Sequence, residues 1–159
     1  MVAAAPEGLD VKKQGYYGIG IYKTKTEANV GTLWRSAHIF GAAFIFTVGK
    51  RYKHQASDTT KAPCHVPLLH FATIDDLRTH LPCGCKLVGV EIAKDAILLE
   101  GYCHPARACY VLGAEDGGLP GGVLSECHDI VQLSGDCCMN VAVAGSILIY
   151  HRQVWAANE

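Results

Sequence analysis

Short apolar runs alternate along this chain with polar, glycine-containing loops and with stretches whose apolar residues recur every three or four positions. Tyr16 to Tyr22 is apolar on both faces of an extended chain, which predicts a strand covered on both sides and central in a parallel sheet. Ala43 to Val48, Leu68 to Phe71, Lys86 to Ile92, Ala108 to Leu112 and Ile130 to Leu133 predict further strands of the same kind. Val30 to Phe40 reads as a helix burying Val30, Leu33, Trp34, Ala37 and Ile39 or Phe40, with Asn29 as its N-cap and Gly41 as its stop. Thr73 ahead of Asp75 and Asp76 predicts a capped helix ending near Leu81, and Pro82 to Cys85 is the turn after it. The last helix runs from about Asn140 to Trp155 and is apolar around more of its surface than one core-facing stripe needs, which predicts a homodimer interface. Strands alternating with helices at this spacing predict an α/β domain with a mostly parallel sheet flanked by helices. We expect one domain over residues 16–159, preceded by a disordered lead-in over residues 1–15.

Length and composition narrow the function classes. A chain of 159 residues, half of them hydrophobic, buries a core and is not a disordered tail. The net charge of −1 argues against a nucleic-acid binder, but the charge is unevenly placed. Residues 1–61 hold nine Lys and Arg against four Asp and Glu, whereas residues 62–159 hold five against eleven. That asymmetry fits either scattered solvated charges or a local basic face, and Lys50, Arg51 and Lys53 around Tyr52 are its densest cluster. Met1 to Asp10 lacks the charged start and long apolar run of a secretory leader, so the eight cysteines are expected to be reduced thiols in a cytoplasmic protein. Cys83 and Cys85 are spaced C-x-C and Cys137 and Cys138 are adjacent, so no metal site is expected. No apolar run reaches membrane-spanning length, and no membrane partner is expected.

Three loops carry candidate chemistry. Gly18 and Gly20 lie within a strand and lack the third glycine of a dinucleotide fingerprint, which removes a Rossmann-type oxidoreductase. Gly113, Glu115, Asp116, Gly117 and Gly118 follow an apolar strand, where glycines let backbone groups approach a ligand and carboxylates hold a hydroxyl or a cation. An ordinary strand-to-helix turn is the competing explanation. Arg35 sits on a mostly apolar helix, where it either snorkels to solvent or clamps a phosphate with its planar fork. Asn29 and Asn140, each at a helix start, are caps or site residues.

Taken together in this order, the three loops resemble the SpoU/TrmH branch of the SPOUT RNA methyltransferases. The family pattern N-x-G-x-x-x-R matches Asn29, Gly31 and Arg35; G-[SA]-E-x-x-G-L matches Gly113, Ala114, Glu115, Gly118 and Leu119; the third motif matches Cys138, Met139, Asn140, Val141, Ala142 and Ala144. The resemblance implies a deep C-terminal trefoil knot, a homodimer, S-adenosylmethionine as cofactor, and methyl transfer to a ribose 2′-hydroxyl of tRNA or rRNA. By matched position it implies a cofactor site of Leu112, Gly113, Gly118, Val131, Leu133 and Met139. It implies a reaction site of Asn29, Arg35, Glu115, Cys138 and Asn140, while Arg35, Lys50, Arg51 and Lys53 are expected to meet RNA. The chain departs from the commoner pattern at Cys138, usually Ser, and at Gln132 and Leu133, often Pro and Met. An appended N-terminal RNA-binding domain is also not expected. These departures keep a second class open, a catalytically inactive knotted module that binds cofactor and RNA.

Overall fold

The sheet is parallel throughout, and its strand order determines where a ligand can sit. The computed structural model describes residues 15–53, 62–135 and 138–157; the expected lead-in up to residue 14 and the far part of the basic loop, 54–61, lie outside them. The strands are β1 (Tyr16–Tyr22), β2 (Phe44–Val48), β3 (Leu68–Phe71), β4 (Lys86–Val90), β5 (Ile97–Leu98), β6 (Arg107–Leu112) and β7 (Asp129–Gln132). They line up as β3-β2-β1-β6-β4-β7-β5. Strand order therefore reverses between β1 and β6, and β7 lies between β4 and β5, which follow one another in the chain.

Helices cover both faces. Helix α1 (Glu27–Ile39), the short α2 (Ala62–His65) and α5 (Val141–Ala157) lie on one side, and α3 (Ile74–His80) and α4 (Gly121–Leu124) on the other. Side-chain alternation along β6 shows why both faces must be covered: Ala108, Tyr110 and Leu112 join the α1/α5 core, and Cys109 and Val111 the α3/α4 core. In β1, Tyr17, Ile19 and Ile21 take the first side. Gly18 and Gly20 face the other, where an added Cβ would lie 2.3 Å from the Phe44 ring and 2.2 Å from the Phe46 carbonyl oxygen. Those glycines are therefore packing residues, as their position inside a strand implied.

Predicted and observed elements differ at their ends. Helix α1 starts at Glu27 with Thr26 as its N-cap, so Asn29 does not cap it. Asn29 is the third helical residue, 8% exposed, because its side chain is held by partners outside the helix. Ile39 is 66% exposed and is not core, while Phe40 is half-buried and packs against Tyr150 with ring centroids 5.8 Å apart. The fourth strand stops at Val90, two residues short of the expected end, although the Glu91 N–H still donates to the Val131 carbonyl at 3.0 Å. Strand β5, the 3-10 turn Leu99–Gly101, α2 and α4 are all too short to show a period in sequence. The Thr73 cap is as expected: its hydroxyl accepts the Asp76 N–H at 3.1 Å, and the Asp76 carboxylate takes the Ala72 N–H at 2.9 Å.

Helix α5 is fixed at both ends. Near its C-terminus the Arg152 guanidinium, 4% exposed, donates to the carbonyls of Pro105 (2.7 Å) and Ala106 (3.1 Å) and to the Tyr110 hydroxyl (2.9 Å). It also lies over the Tyr17 ring, 5.2 Å from the centroid. Because Tyr110 accepts from Arg152, its own proton points to Nδ1 of His104, 2.6 Å away, and His104 Nε2 then donates to Nδ1 of His151 at 2.9 Å. Burial pushes the His104 imidazole down to about 3, so it stays neutral in this chain of bonds. Near its N-terminus α5 approaches α1 through Gly145, where a Cβ would lie 2.6 Å from Cδ1 of the buried Leu33. Gly145→Val is therefore expected to destabilise the fold by about 1–3 kcal/mol through overpacking, although valine is the better helix former. Thermal melts of the variant should show a Tm several degrees below wild type.

Candidate active site

The loops that follow β1, β6 and β7 meet at the C-terminal ends of the strands, beside the point where strand order reverses. Asn29 Nδ2 donates to Glu115 Oε1, and Asn29 Oδ1 accepts from Asn140 Nδ2 at 3.0 Å. Asn140 Oδ1 in turn accepts the N–H groups of Ala142 (3.0 Å) and Val143 (3.2 Å), capping α5. The second carboxylate oxygen of Glu115 takes the Lys25 N–H at 3.3 Å, and Asp116 pairs with the Lys25 ammonium. One line of polar side chains thus joins three loops distant in sequence, and each asparagine uses both ends of its amide.

Burial acts to raise the Glu115 pKa, but hydrogen bonds from its own loop, Asn29, Lys25 and Thr26 outweigh it and leave the group below the ordinary glutamate value. Glu115 is therefore a fixed anion near neutral pH.

Beside this line lies a cavity of about 510 Å³. Leu112, Gly113, Gly118, Leu133 and Met139, all expected at a cofactor site, line it, as do Glu115 and Cys138 from the expected reaction site. Val131 does not line it: fully buried in β7, it stands behind the wall and accepts the Glu91 N–H at 3.0 Å. Arg35 is exposed on the solvent side of α1, one turn from Ile39, and is not among the cavity residues of its own chain. Lys50 and Lys53 are exposed near the start of α1, where Lys50 Nζ donates to the Lys25 carbonyl at 3.1 Å and lies 3.9 Å from Glu27, and the Lys53 N–H reaches Glu27 at 3.1 Å. Arg51 is exposed beside them, while Tyr52 turns inward against Trp34, with centroids 6.1 Å apart and planes at 81°. Among the described residues no group of His, Cys, Asp and Glu could hold a metal ion, and no helix is long and apolar enough to cross a membrane.

Glu91 is the cavity residue that motif reasoning missed. Half-buried at the end of β4, it accepts the Leu119 N–H at Oε2 (2.7 Å) and its neighbour Ile92 N–H at Oε1 (3.0 Å). Its carboxylate occupies the space over two glycines: a Cβ on Gly118 or Gly113 would lie 2.4 or 2.6 Å from Oε2. The sequence carried no signal for it, since the apolar run Lys86 to Ile92 places Glu91 inside the expected strand.

The SpoU rRNA Methylase family matches this chain over residues 18–150. The tRNA (guanosine(18)-2′-O)-methyltransferase TARBP1 of Mus musculus is 26% identical over an alignment of 132 residues that covers 77% of this chain and 8% of that enzyme. Among solved structures, the A. aeolicus TrmH/SpoU tRNA modifying enzyme superposes with a TM-score of 0.81 at 17% identity, covering 92% of this chain and 78% of the other. The AdoMet-bound rRNA methyltransferase from Sinorhizobium meliloti gives 0.77 at 20% identity, covering 89% and 57%. At these identities the two structures establish the fold. The chain spans only a small part of the mouse enzyme and little more than half of the S. meliloti chain.

The depressed Glu115 pKa yields a signed prediction. Its stabilising contribution is complete above the ordinary glutamate value of about 4.3 and is lost as pH falls through the lower folded value. The stability difference between wild type and Glu115→Gln, taken from urea melts, should be constant from pH 7 to 5 and shrink below pH 4.

Proposed function

Because the chain belongs to the SpoU rRNA Methylase family, matched over residues 18–150, we propose that it transfers a methyl group from S-adenosylmethionine to a ribose 2′-hydroxyl of tRNA or rRNA. The observation that carries this is a ligand-sized cavity adjoining the Glu115–Asn29–Asn140 line at the ends of parallel strands. The residues present suit that cofactor. A volume of about 510 Å³ falls within the ~300–1,000 Å³ of small-molecule sites. Leu112, Leu133, Met139 and Val141 offer apolar walls to a purine, and Gly113 and Gly118 bare the backbone of the loop beneath it. The cofactor supplies an electrophilic methyl group on a sulfonium.

What the chain must add is alignment of the acceptor and an exit for one proton. Glu115 is a poor base near neutral pH, since its oxygens are held by Asn29 and Lys25 and its pKa is depressed. Its part is to hold the loop and the Asn29 amide in place. A guanidinium has no lone pair to offer, so Arg35 serves as a phosphate clamp and not as a base. With no strong base among these groups, the hydroxyl proton leaves to solvent as the new O–CH3 bond forms and the sulfonium C–S bond breaks. Because Arg35 lies outside the cavity of its own chain, it acts either on RNA approaching from solvent or across a contact with a second copy. Val143, Ile147 and Tyr150, 45, 39 and 56% exposed on α5, supply an apolar face for such a homodimer. The position of β7 between β4 and β5 is where the C-terminal segment would thread to close the trefoil knot.

The test is incubation of the purified protein with S-adenosylmethionine and bulk RNA, followed by mass spectrometry of 2′-O-methylnucleosides. New ribose methylation is expected. A protein that binds both ligands and transfers nothing would be the inactive module. In the same assay Arg35→Ala should keep cofactor affinity within a few-fold and lower transfer at least ~100-fold. RNA affinity should fall steeply with salt, and joint replacement of Lys50, Arg51 and Lys53 by Ala should flatten the slope by about 0.7–0.9 per lost phosphate contact. An unchanged slope would place the RNA on another face.

A further inference from the structure

Three carboxylates line the cavity: Glu91, Glu115 and Asp116. Two of them are committed to side chains at its mouth, Glu115 to Asn29 and Asp116 to Lys25. Glu91 is bonded differently. Its two hydrogen bonds come from the backbone, one from Ile92 and one from Leu119 across the loop, and among the described residues no Lys, Arg or His pairs with it. Each oxygen thus takes one N–H and keeps further lone pairs, so the carboxylate is oriented without being saturated. Gly113 and Gly118 give it room, since any side chain there would meet its oxygens at 2.6 and 2.4 Å. Both glycines match the family's second motif and look like ligand-approach positions in sequence; here they also clear the space that Glu91 occupies.

Resting on the reading of this cavity as the methyl-donor site, we propose that Glu91 is a specificity-determining residue that accepts hydrogen bonds from the vicinal ribose hydroxyls of the cofactor. The donor set fits. Two hydroxyls on adjacent ring carbons match the two fixed oxygens of a carboxylate, and charge-assisted bonds of this kind are the strong ones. Apolar residues make up much of the remaining wall, including Leu112, Leu119, Leu124 and Val141, and these suit the purine. Holding Leu119 at the same time, Glu91 sets the shape of the loop between Ala114 and Gly118, which the Gly118 N–H to Ala114 carbonyl bond closes at 2.9 Å. Ribose recognition and Glu115 placement are thereby coupled through one side chain.

The test reads binding and not turnover. Calorimetry with S-adenosylhomocysteine and with its 2′-deoxy and 3′-deoxy forms should show wild type losing about 10- to 100-fold on removal of either hydroxyl. Glu91→Ala should bind all three ligands weakly and alike. Thermal melts without ligand register any loss of folding in the variant, and Glu91→Gln, which keeps an acceptor for Leu119, should also discriminate less than wild type. A purely structural role would lower every affinity while leaving the hydroxyl-to-deoxy ratio unchanged, and that result would overturn the proposal. So would a variant that weakens S-adenosylmethionine but not S-adenosylhomocysteine, since it would put the carboxylate at the sulfonium. If wild type binds neither ligand, the methyl-donor reading falls as well; if it binds them without sensing the hydroxyls, only the role of Glu91 falls.

Discussion

The constraint on which the upper half of this molecule depends is the line of hydrogen bonds from Glu115 through Asn29 to Asn140. It ties together the β1–α1, β6–α4 and β7–α5 connections, which no secondary-structure ladder joins. Asn29, 8% exposed, is costly to bury unless satisfied, and the exposed Glu115 and Asn140 satisfy the two ends of its amide. The donor and acceptor roles all run one way, because Asn140 must present its oxygen to the first N–H groups of α5. That leaves its amide nitrogen for Asn29, and leaves the nitrogen of Asn29 for a carboxylate. A glutamate at 115 is thus what the α5 cap demands two residues further along the line.

Below that line the sheet supplies rigidity and the cavity supplies space. The cavity exists because the loops after β4, β6 and β7 diverge from three adjacent strands, and because α5 starts directly beneath them. A glutamate at the end of β4 and a glycine pair at the end of β6 are complementary in shape: the carboxylate takes the place of two absent side chains. The loop it secures carries Glu115, so the ligand pocket and the polar line share one short segment of backbone.

Helix α5 has three roles at once. One side enters the core through Val141, Ala142, Leu148 and Ile149, and the close approach at Gly145 sets its distance from α1. Its first turn is held by Asn140 and a later turn by Arg152, whose guanidinium reaches the segment before β6. A third side leaves Val143, Ile147 and Tyr150 in solvent. A helix fixed so firmly from beneath presents these apolar residues on a rigid outer face.

Much of the architecture was legible in the sequence because it rests on local periodicity. The long strands and the two long helices, the Thr73 cap and the α/β class all follow from patterns repeated over five or more neighbouring residues or from one adjacent cap. Motif order added the family, since three short patterns in sequence order are far more specific than any one of them. What the chain alone did not disclose depends on partners distant in sequence. Asn29 looks like a cap until Glu115 and Asn140 are placed beside it, and Ile39 looks buried until α5 is seen to leave that side of α1 open. Arg35 matches a reaction-site motif, yet its helix turns it to solvent, away from the cavity of its own chain. Glu91 belongs to no motif, and becomes visible only when β4 and β6 lie side by side and the glycines of one strand end make room for the acid of the other. Periodicity is written into the chain one residue at a time, whereas a site is a coincidence of strand ends, and only strand order decides which ends coincide.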